Sequence, residues 1–295
     1  MSAPPSVGVV IPTCGDRPGL LREAVAAVLA QDYPGRLAVV VVHDGGRGCP
    51  GPELGVPVLA NRRTPGLPGA RNTGIAALDT DLVAFCDDDD LWLPGKLTAQ
   101  ARALAVTGGE FASCAIEIEH AGRRVARLAG ADTVTMADLL RSRMVMVHSS
   151  TFLFRRGALW ADESAPGGQN EDWDLALRAA RRRPITHVDR PLVRVRWGGS
   201  SHYAARWADR IAGLDWMLDR HPELAADRRG AARVYGQFAF AYAALGRRRA
   251  AVRWAVRAFG ARPGEPRAPI ALAVAAGIVP AATVLGLLHG RGHGI

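Results

Sequence analysis

The spacing of apolar positions changes along the chain. Over the first 110 residues, short runs almost free of polar side chains alternate with segments whose apolar positions recur every three to four residues. The runs are residues 7–11, 37–42, 57–60 and 82–86, and their β-branched content predicts strands buried on both faces. Residues 18–31 place Leu21, Ala24, Val25, Val28 and Leu29 on one helical face, and residues 69–78 and 94–106 also read as helices. This alternation predicts an α/β fold with a Rossmann-like, mostly parallel sheet flanked by helices. Between 110 and 200 the pattern loosens. A hairpin is expected over 111–119 and 123–128 around Ala121-Gly122, and a strand over 149–154. A helix is expected over 170–182, with Asn170 as N-cap and Glu171 and Asp172 in the first turn, where the helix dipole favours acids. Short strands are expected at 185–188 and 192–197.

From residue 204 only helical periodicity remains, so the expected division is an α/β domain over 1–203 and an all-α region over 204–295. Residues 235–263 match one tetratricopeptide-type hairpin through Tyr235, Ala239, Tyr242, Gly246, Ala251, Ala255, Ala258 and Pro263. An ordinary Ala-rich hairpin fits equally well. Residues 268–289 are long and apolar enough to span a bilayer, but Gly277 and Pro280 interrupt them. Two short helices, buried or lying at a membrane surface, are the expectation.

Composition narrows the class. A hydrophobic fraction of 48% excludes wholesale disorder. The four cysteines (Cys14, Cys49, Cys86, Cys114) share no C-x-x-C spacing, which argues against a zinc ribbon or disulfide scaffold and suits a reducing compartment. The start lacks a basic segment followed by a long apolar run, so the expected location is cytoplasmic. The net charge of +9 is not spread evenly: residues 1–219 are neutral overall, while 220–295 hold 12 arginines against three acids. A nucleic-acid binder would interleave basic residues with exposed aromatics. Here Trp254 and Phe259 fall at core-like helical spacing, and nucleic acid is not an expected partner. A basic, partly apolar tail suits docking on an anionic membrane surface; a solvated Arg-rich face is the alternative.

The strongest chemical signal is Asp87-Asp88-Asp89-Asp90, directly after an apolar strand. In open α/β sheets ligands bind beyond the carboxyl ends of the strands. Adjacent carboxylates there repel one another, and a divalent cation, Mn²⁺ or Mg²⁺, would relieve the repulsion while bridging to substrate phosphates. Two more strands end at the same edge, in Pro12-Thr13 and in His43-Asp44-Gly45-Gly46. Asp44 suits a nucleotide base or ribose, or equally a turn before two glycines.

Together these pieces resemble family 2 glycosyltransferases of the GT-A fold. The resembling segments are VGVVIPTCGDRPGLLREAVAAVLAQDYP, VVVVHDGG, GLPGARNTGIAAL, LVAFCDDDDLWLPGKL and NEDWDLALRAA, in that order, covering roughly residues 7–200. The resemblance implies an enzyme that moves one sugar from a nucleotide-diphosphate sugar, UDP-sugars favoured, to a hydroxyl of a glycan or lipid-linked acceptor. It implies that Thr13 and Asp44 hold the base, that Pro12 belongs to the nucleotide-sugar site and that Arg71 contacts the nucleotide. Asp87-Asp88-Asp89 looks like the DxD element, with Asp88 toward the ribose and Asp89 on the metal. Asp172 matches the general base of inverting members, with Glu171 on the acceptor side. The chain departs from the pattern in carrying His43-Asp44 for a paired Asp, and Trp197 where relatives place a metal-binding histidine. His202 is then a candidate extra ligand, and Trp197 a candidate sugar-stacking side chain. His148 could line the acceptor side. The glutamine that precedes Arg-Trp in processive synthases is replaced by Val193, which favours single-sugar transfer. Two other readings stay open. A sugar nucleotidyltransferase would need a basic, Gly-rich loop near the first strand, and residues 13–20 are a poor version. A degenerate transferase acting as a scaffold would not need its carboxylates intact.

Overall fold

A computed structural model describes residues 3–46, 48, 51–197 and 206–291. The first strands are β1 (Val7–Thr13), β2 (Leu37–His43), β3 (Val58–Ala60) and β4 (Leu82–Phe85). Between them lie helices α1 (Pro18–Leu29) and α2 (Leu67–Ala77). A two-residue β5 (Leu91–Trp92) and helix α3 (Lys96–Thr107) follow. Next come β6 (Phe111–His120), β7 (Arg123–Arg127), β8 (Thr133–Val134), α4 (Met136–Arg141), β9 (Leu153–Arg155), α5 (Glu171–Arg182) and β10 (Ile185–Arg196). The remainder is helical: α6 (Trp207–Arg220), α7 (Glu223–Ala226), α8 (Arg228–Ala244), α9 (Arg248–Ala261), α10 (Arg267–Ala275) and α11 (Ala281–His289).

All ten strands form one sheet, ordered β3-β2-β1-β4-β9-β6-β10-β5, with β7 beside β6 and β8 beside β10. Pairing is parallel for β3-β2, β2-β1, β1-β4 and β6-β10, and antiparallel at β9, β5, β7 and β8. The expected Rossmann-like half is therefore present, and β9 reverses the direction beside it. The register Thr13↔His43, with the Asp44 amide bonded to the Thr13 carbonyl at 2.9 Å, brings the carboxyl ends of β1 and β2 level. The Cys86 amide bonds the Val10 carbonyl at 3.1 Å and sets Asp87 at the same edge. Helix α2 lies close on β1 because Gly74 has no side chain; a Cβ there would come within 2.3 Å of Val10.

Three local expectations change. The segment expected as a strand from 149 opens instead as a one-turn 3₁₀ helix over Ser149–Thr151, because Thr151 Oγ1 donates to the His148 carbonyl at 2.7 Å; only Leu153–Arg155 pairs. The two strands expected at 185–188 and 192–197 are one, β10, which absorbs Asp189-Arg190-Pro191 as irregularities against β6. Asn170 occupies the N-cap position, but at φ 62° its side chain makes no capping bond.

The helical region does not stand apart. Ile211, Leu214, Met217, Leu224, Val234, Phe238 and Ala241 belong to the same buried cluster as the sheet. The α8–α9 hairpin buries Ala239, Ala251, Ala255 and Ala258 completely against its neighbours. Residues expected as two short apolar helices are α10 and α11, and among the described residues no helix is long and apolar enough to cross a membrane.

The only lysine, Lys96, is fully buried, with no hydrogen-bond partner for Nζ, which sits 3.9 Å from the centre of the Trp92 ring. Burial pulls its pKa down to about 8 from 10.5, while the Cys114 and Cys86 thiols oppose the shift. Between those two values the unfolded chain keeps a proton that the folded chain sheds, so stability rises with pH across that window. Below pH 8 the full penalty, about 3 kcal/mol, is present and is partly offset by the cation–π contact. Lys96→Met is expected to raise stability at pH 7 by about 1–3 kcal/mol and to flatten that rise. Urea melts at pH 7 and pH 9.5 check both.

Candidate active site

Every carboxylate at the sheet edge is engaged. Asp44 accepts from Asn61 Nδ2 and from the Gly66 amide, both at 2.6 Å, so it ties the end of β2 to the loop that starts α2. Thr13 Oγ1 donates to Asp88 at 2.5 Å, and Arg17 bridges Asp88 (2.6 Å) and Asp89. Asp87 accepts from Arg71 Nη2 at 2.7 Å and from Ser149 Oγ at 2.9 Å. Arg71 is only 1% exposed, and its other arm pairs with Glu171. Two networks result, Thr13–Asp88–Arg17–Asp89 and Ser149–Asp87–Arg71–Glu171, side by side along the acidic run, and Pro12 is buried in β1.

The acidic run is electrostatically strained. Burial raises Asp88 to about 6 against the lowering by Thr13 and Arg17. Burial likewise raises Asp89, and it raises Asp90 well above the ordinary carboxylate range with Asp89 and Asp87 adding to it. Such carboxyls are poised for a cation. Ligand atoms of Asp87, Asp90 and His148 lie within 4.8 Å of one another, an oxygen-rich donor set with one imidazole that suits Mn²⁺ or Mg²⁺. Asp89, the expected ligand, faces Arg17, a cation already in place. His202 lies outside the described residues.

Asp172 stands in the first turn of α5, 9% exposed. Arg143 Nη2 donates to both its oxygens, at 2.7 and 2.8 Å, and the Trp173 amide donates to Oδ1 at 2.8 Å. Burial pushes its pKa up, but Arg143, His148 and Arg71 together hold it below the ordinary value. Burial drives His148 itself down to about 4, so above that pH the imidazole is neutral and the guanidiniums do the holding. Asp172 is ionised at neutral pH. His148 and Asp87 act on each other's charge and so do His148 and Asp172, which places Asp172 near the Asp87, Asp90 and His148 cluster. Trp197 lies at the end of β10, its ring centre 5.2 Å from that of His289 in α11.

Helix α5 is anchored from behind. Asp174, fully buried, accepts from His221 Nε2 (2.9 Å), Arg220 Nε (2.5 Å) and Arg178 Nε (2.8 Å). Arg17, Arg143 and Ser149 carry no signal in the sequence, and Asp90 has no separate role there. Asp90 was visible as part of the acidic run; Arg143 is one arginine among 36 in an irregular stretch and carries no local signal.

The sheet is mixed rather than mostly parallel, because β9, β5, β7 and β8 pair antiparallel; its parallel half with carboxylates along the carboxyl edge, and an acidic helix start facing them, is the layout of a GT-A nucleotide-sugar transferase. Residues 8–162 match the model of glycosyl transferase family 2, and the chain belongs to that family. It is 28% identical over 236 residues to the uncharacterized glycosyltransferase YwdF of Bacillus subtilis, covering 73% of this chain and 84% of that one. It is 31% identical over 210 residues to the pre-mycofactocin glycosyltransferase of Mycobacterium tuberculosis, 62% of this chain but only 42% of that one. The match to the succinoglycan biosynthesis protein ExoW of Rhizobium meliloti is 36% over 121 residues, 35% of this chain and 38% of that one. Among solved structures, S. aureus TarS 1-349 in complex with UDP-GlcNAc superposes with a TM-score of 0.63 at 13% identity, over 98% of this chain and 92% of that one. The mannosyltransferase PcManGT of Pyrobaculum calidifontis, in complex with GDP-Man and Mn²⁺, gives 0.55 at 20% identity, over 98% and 80%. The chain is a glycosyltransferase of GT-A fold.

Proposed function

We propose that this enzyme transfers a single sugar, with inversion, from a nucleotide-diphosphate sugar to a hydroxyl of a glycan or lipid-linked acceptor. One observation carries the reading: a buried, ionised carboxylate, Asp172, stands beside the acidic edge where β1, β2 and β4 end. Pro12, Thr13 and Asp44 suit the base and ribose end of the donor, with UDP favoured. Arg71 and Asp87–Asp89 suit the diphosphate end. Asp87, Asp90 and His148, with Asp89 adjacent, would hold the divalent cation. Bound there, the ion supplies Lewis-acid stabilisation of the departing diphosphate. Asp172 takes the proton of the acceptor hydroxyl as it attacks the anomeric carbon from the opposite side. Glu171, paired with Arg71, fixes the turn that presents Asp172.

Residues 1–203 serve as the catalytic domain and 204–295 as its helical partner. Ile278 and Leu287 are exposed beside a region rich in arginine, which favours a peripheral position on an anionic membrane surface at the cytoplasmic side. The test is a panel of UDP-, GDP- and dTDP-sugars with the full chain, read as nucleotide release with Mn²⁺, Mg²⁺ or EDTA. Metal-dependent release from one UDP-sugar is expected. Pyrophosphate release from a nucleoside triphosphate, or no donor binding in a thermal shift, would overturn the reading in favour of a nucleotidyltransferase or a scaffold.

A further inference from the structure

Positive charge gathers around Arg143, the partner of Asp172, and the helical region supplies Arg210 and Arg233 to it. In α6, Gly213 lies against Gln169 and Asn170; a Cβ there would be 2.5 Å from Gln169 Cβ and 3.1 Å from Asn170 Nδ2. Arg210, one turn earlier, shares that face. In α8, Gly230 lies against the Leu140 carbonyl, where a Cβ would come within 2.4 Å, and Gly236 lies against Arg267. Arg233 sits midway between these two glycines on the same face. Two packed helix faces therefore direct Arg210 and Arg233 toward the segment that carries Arg143.

The carboxylates there are already committed. Asp172 binds Arg143, Glu171 pairs with Arg71, and Glu265 binds Arg267 at 2.6 Å. Among the described residues no carboxylate lies within ion-pair distance of Arg210 or Arg233. Four buried donors nearby also lack a hydrogen-bond partner: Gln169 Nε2, Asn170 Nδ2, Arg233 Nε and Arg267 Nε. Burial and the Arg143 charge pull Arg210 down to about 10. Arg233 falls to about 10 as well, through burial first, then Arg267, with Glu265 opposing and Arg143 adding. Two half-buried guanidiniums that each feel the Arg143 charge, Arg210 over the Trp207 ring, together with these donors make a surface whose chemistry suits an anion.

We propose that Arg143, Arg210 and Arg233 form a phosphate subsite for the acceptor, so that the hydroxyl delivered to Asp172 belongs to a phosphate-bearing molecule. The proposal rests on the transferase reading above and names its acceptor class. The guanidinium fork matches phosphate oxygens two at a time, which orients the acceptor as well as holding it. The phosphate can belong to a soluble glycosyl phosphate or to a lipid-linked one, and both present the same oxygens.

The test uses the full chain and two probes. UDP is titrated first; if it fails to bind, the donor reading fails, and the phosphate titration is run on the protein without UDP. Inorganic phosphate is then titrated calorimetrically with UDP and Mn²⁺ saturating, which occupies the donor side. Wild-type protein is expected to bind phosphate, and the Arg210→Gln/Arg233→Gln double variant to bind it about tenfold or more weakly, with UDP affinity unchanged. The paired Arg210→Lys/Arg233→Lys variant, which keeps the charge, is expected to recover part of the affinity and guards against loss of fold. With the donor identified, a methyl glycoside and its phosphorylated counterpart, the latter free or on a lipid tail, are compared as acceptors. A preference of about tenfold for either phosphorylated form, expressed in KM and removed by the double variant, is expected. Equal use of neutral and phosphorylated acceptors, or phosphate binding that survives the double variant, would overturn the proposal.

Discussion

Asp172→Asn is expected to lower sugar transfer by about 10²–10⁴-fold, the range for removal of a positioned general base, while UDP-sugar affinity stays near the wild-type value. The substitution keeps the volume and one acceptor oxygen for Arg143, so packing around the start of α5 is preserved. What is lost is the ability to take a proton. Asp172 is ionised well into the acid range because Arg143 and Arg71 outweigh its burial, with His148 contributing only when protonated. Steady-state rates beside a UDP binding curve separate this role from a structural one. If Asp172 merely began a helix, rate and affinity would fall together or neither would change.

The second large effect concerns stability. Asp174→Ala is expected to remove about 3–5 kcal/mol, because it strands His221 and two arginine side chains around a fully buried position. Burial raises the Asp174 pKa, but the bond from His221 and the Arg178 and Arg220 contacts bring it below the ordinary value. A depressed carboxyl contributes stability that is complete above pH 3.8, its unfolded value, and that is lost as pH falls through its folded value. Denaturant melts at pH 7 and at pH 3 check this: the wild-type and the variant should differ most at neutral pH and converge in acid. Because His221 and Arg220 come from the helical region while Asp174 follows Asp172 by half a turn, the variant should also lose transfer activity.

The parallel half of the fold was legible because its strands are buried on both faces, and burial excludes polar residues from runs such as residues 7–11 and 37–42. Acidic residues at a strand end were legible for a related reason: four adjacent carboxylates beside a buried strand repel one another and call for cationic partners. Arg143 was not legible. Its role arises from where an irregular segment crosses the start of α5, and no spacing in the chain encodes that crossing. The continuous β10 was hidden because Pro191 lacks an amide donor and reads as a break, whereas the sheet accommodates it by a register shift against β6. The helical region reads as a separate unit because only helical periodicity remains from residue 204. Its inner faces nevertheless share one core with the sheet, through Leu214, Met217 and Phe238. Asn170 looked like a cap by residue type, but its left-handed backbone turns the side chain toward Gly213 of α6.

In the proposed mechanism Asp172 drives direct, inverting displacement at the anomeric carbon. The most direct measurement is proton NMR of the freshly formed glycoside, made from an α-linked UDP-sugar of gluco configuration in the presence of Mn²⁺. A product whose anomeric proton shows the large axial–axial coupling of a β-linkage is the predicted result. An α-linked product, formed with retention, would exclude this role for Asp172.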